Sequence, residues 1–154
     1  MLNNGGIHPK EYQTITPLLR VQDVSKLIDF LKQAFEAKEI SCYNQKDGLL
    51  AHAKVKIGNS IIMLSDSTSE WKPMTNVLYI YVDNVDKKYQ KALDFGATSL
   101  REPKYEQHGD RCAVVIDHYG NQWWIATHKE NMSENEFDKD SDNDDMDESQ
   151  TFSI

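Results

Sequence analysis

Between residues 49 and 57 apolar and polar side chains alternate. Leu49, Ala51, Ala53, Val55 and Ile57 fall on one face, and Leu50, His52, Lys54 and Lys56 on the other. Successive side chains of a strand point to opposite faces, so this period of two predicts a strand with one covered face. A longer period governs 24–35, where Leu27, Leu31 and Phe35 recur every four residues with Ile28 beside them. That is the stripe of an amphipathic helix, and Asp23 stands where an N-cap is needed. The same pattern returns at 85–95 in Val85, Tyr89 and Leu93, with Ala92 beside them, Asn84 at the N-cap and Gly96 at the C′ position.

The two halves echo each other at a constant offset of 60 to 62 residues. LLRVQDVSKLIDFLKQAFEAKEI (18–40) matches LYIYVDNVDKKYQKALDFGATSL (78–100), and IGNSIIML (57–64) matches YGNQWWIA (119–126). The pattern predicts an internal duplication of a β-α-β-β-β unit. The first unit has strands at 13–21, 38–44, 49–57 and 60–66 around helix 24–35; the second has strands at 76–82, 98–104, 111–117 and 121–128 around helix 85–95. Gly58-Asn59 and Gly120-Asn121 are both expected to be hairpin turns. In the last strand Trp123 and Trp124 are adjacent, so they face opposite ways.

A chain of 154 residues suits one domain built of two such halves. The expected organisation is a leader (1–11), one domain (12–129, with units near 12–68 and 74–129) and an acidic tail (130–154). The net charge of −8 sits almost wholly in that tail, which holds ten Asp or Glu and one Lys. The body is near neutral, which argues against a nucleic-acid partner. Rich in Asp, Ser and Asn, the tail is expected to be disordered and to solubilise the chain or to meet a basic partner. Cys42 and Cys112 make no disulfide framework, no secretory signal is visible at the start, and no run approaches a membrane span, so a cytoplasmic protein without a membrane partner is expected.

The duplicated unit, with LRVQD, GNSIIMLSD, YVDNVD and GDRCAVVIDHYGNQWWIATH, resembles the vicinal oxygen chelate (VOC) superfamily of glyoxalase I, fosfomycin and bleomycin resistance proteins and extradiol dioxygenases. It is most similar to the PhnB-like branch, through its GD-R turn and final W-x-x-ATH. The resemblance implies an α+β fold in which two tandem βαβββ units form a curved mixed sheet around a central cup. In the metal-dependent members, four cup positions hold a divalent ion. Carried over one at a time, they fall on Thr16, on Met63 (or Ile62, one residue earlier), on Val77 (or Asn76) and on Trp124. These offer almost nothing to a divalent ion, which wants imidazole nitrogen or carboxylate oxygen. The expectation is therefore no metal and no other cofactor. The remaining candidates, His52, His108, His118, His128, Asp66 and Asp110, show no metal-ligand spacing, and His52 is the least poor centre for a displaced site.

The resemblance also puts a carboxylate-binding Arg four residues after the first ligand, which here is Arg20. With Tyr79, Tyr81 and Trp124, and with His52 on the polar face of its strand, Arg20 suggests a cup for a small aromatic or amphipathic anion. The expected function is a metal-free small-molecule-binding protein of the bleomycin-resistance type. A metal-dependent lyase, isomerase or dioxygenase with displaced ligands is the alternative, and an interaction protein acting through its tail the second. Drug-binding members of the superfamily are dimers, so a homodimer is among the expected partners. Asp110 and Arg111 are expected to form an ion pair at a strand start or to close the cup.

Overall fold

The computed structural model describes residues 6–44 and 50–128. The expected tail at 130–154 lies outside the described residues. The order of elements is β1 (Leu18–Val21), α1 (Val24–Phe35), β2 (Lys38–Asn44), β3 (Leu50–Ile57), β4 (Ser60–Asp66), β5 (Val77–Tyr81), α2 (Val85–Asp94), β6 (Thr98–Tyr105), β7 (Asp110–Ile116) and β8 (Gln122–His128). Each half forms its own mixed sheet, β1-β4-β3-β2 and β5-β8-β7-β6, with its outer pair parallel and the rest antiparallel. The two βαβββ units pack together as a curved double-sheet cup.

The duplication extends to the hydrogen bonds. Asp23 and Asn84 cap their helices by accepting from the Lys26 and Lys87 amides at 3.2 and 3.1 Å. The end of the last strand of each unit also holds the start of that unit's helix. Asp66 accepts from the Val24 amide at 2.9 Å, and Thr127, one repeat later, accepts from the Val85 amide at 3.1 Å. These contacts satisfy amides that a helix leaves unpaired in its first turn. The first helix stops at Glu36, in left-handed conformation with φ 56°, and the second runs into Gly96 at φ 103°.

Two local expectations are corrected. The first strand is four residues long and begins only after Pro17, whose nitrogen has no hydrogen to donate to the ladder. Leu18 and Arg20 therefore stay in the strand, and Thr16 does not. The two glycine turns also differ. Gly58-Asn59 is a two-residue hairpin between paired Ile57 and Ser60. The second turn is wider: the Asp117 amide donates to the Asn121 carbonyl at 2.9 Å, leaving His118, Tyr119 and Gly120 as the loop. Gly120 sits at φ 82°, and a Cβ there would lie 2.8 Å from Thr75, so no other residue fits without a shift.

The core lies between the helices and the inner sheet faces. Leu27, Leu31 and Phe35 of α1, Val85, Tyr89 and Ala92 of α2, and Ala53, Val55, Leu64, Val115 and Ile125 of the sheets are buried together. Trp123 is its largest fully buried side chain, at 1% exposure. Its rings lie 5.2 Å from those of Phe35, across the junction of the two units. Its indole N–H donates to Asp117 at 2.9 Å. The same carboxylate accepts from the amides of Tyr119 and Asn121 and from the Asn121 side chain, which fixes the wide turn.

Neighbouring tryptophans should thus differ sharply in their contribution to stability. Trp123→Phe is expected to cost about 2 kcal/mol or more, because it removes buried atoms and a hydrogen bond to a buried carboxylate. Trp124→Phe, on the open face, is expected to cost under about 1 kcal/mol. Urea unfolding of the two variants checks this, and equal costs would contradict it.

Candidate functional site on the second sheet

Strand alternation sends Trp124 to the face opposite Trp123. It is half-buried there, opposite Tyr79 on β5 and Val114 on β7. Its ring stacks on Tyr79 at 6.4 Å and an interplanar angle of 23°. Tyr81 follows at 5.3 Å from Tyr79. On the other flank the Arg101 guanidinium lies over the Trp124 ring at 5.1 Å. Tyr81, Tyr79, Trp124 and Arg101 thus make a row across the sheet, ending in a cation that also pairs with Glu106. Tyr79 and Tyr81 are 45% and 64% exposed, a large aromatic surface to leave open. Both also line a crevice of about 380 Å³ between the β3–β4 turn and β5, but Leu78, Ile80 and Trp123 from the core face of the sheet line it too, and Trp124 and Arg101 do not. That volume suits a small organic molecule.

At one end of the row sits Asp110, 1% exposed. Its Oδ2 accepts from the Tyr79 hydroxyl at 2.7 Å and the Tyr81 hydroxyl at 3.0 Å. Its Oδ1 lies 2.6 Å from His128 Nδ1. His108 Nδ1 is 3.6 Å from Oδ2. Burial alone would raise the Asp110 pKa, but the hydrogen bonds from His128, Tyr79 and Tyr81 outweigh it and hold the carboxyl below its ordinary range. The Tyr79 hydroxyl is pushed far up, first by burial and then by its bond to Asp110. Tyr81 moves the same way, chiefly through that bond.

The expected Asp110–Arg111 pair does not form. Adjacent strand residues point apart, so Arg111 turns to α2, where its Nε and Nη2 donate to Asp86 at 3.0 Å each.

Of the residues expected in one cup, Tyr79, Tyr81 and Trp124 come together. Arg20 stands apart: its guanidinium lies 5.0 Å from the Trp71 ring, in a separate cavity with Pro73, Met74, His118 and Tyr119. His52 is on β3 of the first sheet, paired with Tyr43, and does not line the tyrosine crevice. Much of that outer face is crossed by the preceding segment, with Tyr12 against Lys54 and Glu11 against Lys56. Sequence reasoning missed Arg101 and the joining of Asp110 to His128. Arg101 lies beside a register shift in β6, which hides its face from a period-two reading. The Asp110–His128 pair could have been read from the β7–β8 hairpin, whose register sets the two residues opposite each other.

Residues 13–125 match the family model described as the Glyoxalase/Bleomycin resistance protein/Dioxygenase superfamily. The chain belongs to this superfamily. It is 33% identical over 123 residues to an uncharacterized protein of Mycobacterium tuberculosis strain H37Rv, covering 73% of this chain and 72% of that protein. Among solved structures it is similar to TioX from Micromonospora sp. ML1, with TM-score 0.66, 19% identity and coverage of 76% and 99% of the two chains. The fosfomycin resistance protein FosX from Listeria monocytogenes, complexed with Mn(II) and sulfate, matches with TM-score 0.60, 18% identity and coverage of 76% and 90%. A family enzyme from Burkholderia phytofirmans PsJN matches with TM-score 0.58, 21% identity and coverage of 73% and 95%. At these identities the structural matches speak for the fold.

The four positions that the resemblance assigns to a metal ion carry no imidazole or carboxylate here. The Thr16 hydroxyl donates to the Gln13 carbonyl at 3.4 Å. Met63 is opposite Leu18 as Trp124 is opposite Tyr79, while Ile62 is buried in the core, which favours Met63 as the second position. Val77 is 68% exposed. The Trp124 indole donates to Gln122 at 3.3 Å. Among the described residues no three His, Cys, Asp or Glu side chains group closely enough to hold a metal ion. Among them, too, no helix is long and apolar enough to cross a membrane.

Asp110 carries a pH dependence of known sign. A carboxyl with a depressed folded-state pKa adds stability above its unfolded value near 4, and loses it as pH falls through the folded value. The unfolding free energy is therefore expected to drop between about pH 5 and pH 2, and to drop less in Asp110→Asn. Urea titrations across that range check it, and an identical acid profile in the variant would contradict it.

Proposed function

We propose that this chain binds a small aromatic or amphipathic anion on the outer face of its second sheet. The ligand ring would lie along Tyr79, Tyr81 and Trp124, and Arg101 would supply the cation. The observation that carries this reading is the open aromatic row flanked by a guanidinium. Aromatic faces hold flat apolar groups, and a guanidinium suits a planar carboxylate. Arg20 and His52, expected in the same site, become second-rank candidates because they sit elsewhere. Placement within the PhnB-like branch rests on the GD-R and W-x-x-ATH residues alone.

A metal-dependent enzyme with displaced ligands is the second reading. The comparisons favour it, since FosX was solved with Mn(II) and the Burkholderia protein is described as an enzyme. The donor atoms at the four positions favour the first. Metal analysis of untagged protein, with thermal shifts over nickel, zinc, manganese and iron, separates the two. The binding reading expects no stoichiometric metal and no shift. About one metal ion per chain with a clear shift would establish the second reading, with His52 the first residue to replace.

Binding itself is read by tryptophan fluorescence. Titration with phenylacetate or benzoate is expected to change the emission, and Trp124→Phe to remove most of the change. Arg101→Met is expected to weaken binding about tenfold or more, the size of one charge-assisted hydrogen bond. A response that survives both substitutions would overturn the proposed site.

A further inference from the structure

The Asp110 cluster does more than brace the sheet. Its carboxylate is ionised and buried, so it can only accept hydrogen bonds. Tyr79 and Tyr81 supply two hydroxyl donors to Oδ2. The 2.6 Å contact from Oδ1 to His128 Nδ1 then requires the proton to be on that nitrogen. In a neutral imidazole the other nitrogen, Nε2, is left with a free lone pair. The His128 side chain is 51% exposed, so Nε2 is not sealed in the core. The two tyrosine hydroxyls are bonded to the same carboxylate, so the imidazole and the aromatic face meet at Asp110. A nearly buried carboxylate that fixes one tautomer of a half-exposed histidine, beside an open aromatic face, is the arrangement of a general base.

We propose that His128 Nε2 is a general base for proton transfer from a carbon acid bound on this face, with Asp110 as the positioning residue that sets its tautomer. The proposal rests on the aromatic face being the ligand site, and needs no metal. The fitting substrate class is an aryl 2-oxo acid: a ring for Tyr79 and Tyr81, a carboxylate, and an acidic C–H beside the carbonyl. Nε2 takes the proton from C3. The C–H electron pair becomes the C2=C3 double bond, and the carbonyl π pair moves to oxygen. An enolate and an imidazolium result. Return of a proton from the imidazolium to C3 restores the acid, so nothing is oxidised or consumed. In D2O the returned proton is deuterium.

The test uses the full chain and phenylpyruvate in D2O, with loss of the C3 proton signal followed by NMR. Exchange is expected above the buffer rate, and His128→Ala and His128→Gln are each expected to lower the excess about a hundredfold. Asp110→Asn is expected to lower it at least about tenfold while phenylpyruvate still alters the fluorescence, because an amide can donate to Nδ1 and reverse the tautomer. Nitrogen-15 NMR of labelled histidine reads that reversal directly: Nδ1–H in the parent chain, Nε2–H in the variant. Exchange at the buffer rate, exchange unaffected by replacing His128, or an Nε2–H tautomer in the parent would each overturn the proposal. Fluorescence in the same samples tells which reading fails. Phenylpyruvate bound but not exchanged sinks only the base, whereas phenylpyruvate not bound sinks the ligand site with it.

Discussion

The buried indole of Trp123 is the constraint from which the rest of the second sheet follows. Its ring joins the two units by packing on Phe35, and its N–H is tied to Asp117, which also fixes the turn before β8. With that residue locked inward, strand geometry leaves its neighbours no choice. Gln122, Trp124, Ala126 and His128 must face outward, and the β5 and β7 residues opposite them follow. A slip of one residue would bury Trp124 and His128 and expose Trp123, so core and candidate site are specified together.

On the outward face the organising element is a single carboxylate. Asp110 is costly to bury as an anion, and three donors offset that cost. The donors are not core residues. They are two exposed tyrosines and a half-exposed histidine, so what satisfies the carboxylate also arranges a polar edge on an aromatic surface. Arg101 closes the opposite end of the row over Trp124. The first sheet, built from the same unit, carries Leu18, Arg20, Met63 and Ser41 at the places of Tyr79, Tyr81, Trp124 and Arg101, with Tyr12 from the segment before β1 and Trp71 from the segment after β4 packed on its cations. Duplication supplied two similar frames, and among the described residues the second presents the open aromatic row.

Local signals in the sequence carried most of the fold. Leu27, Leu31 and Phe35 reveal the helix because a buried stripe must repeat at helical spacing. The offset near 61 residues reveals the duplication because the same hydrogen bonds recur, as at Asp66 and Thr127. Pro17 could have been used to shorten the first strand. The site was less legible, for two reasons. Arg20 and Arg101 read alike as strand arginines, and only the packing of the Trp71 segment and the shift in β6 separate them. Asp110 and His128 lie 18 residues apart and meet only once the β7–β8 register is set. The Asp117 turn was misjudged because Gly-Asn is a strong hairpin signal, and a neighbouring carboxylate that reshapes the loop leaves no periodic trace.

On the proposed reading the two faces of β8 have different work, one structural and one for ligand. The most direct measurement is a two-dimensional nitrogen–proton spectrum of the tryptophan indoles during a phenylacetate titration, with assignment by single replacement. The Trp124 N–H signal is expected to move steadily with ligand while that of Trp123, bonded to Asp117 in the core, stays in place. Movement of Trp123 with Trp124 unchanged would contradict it and put the ligand on the helix side.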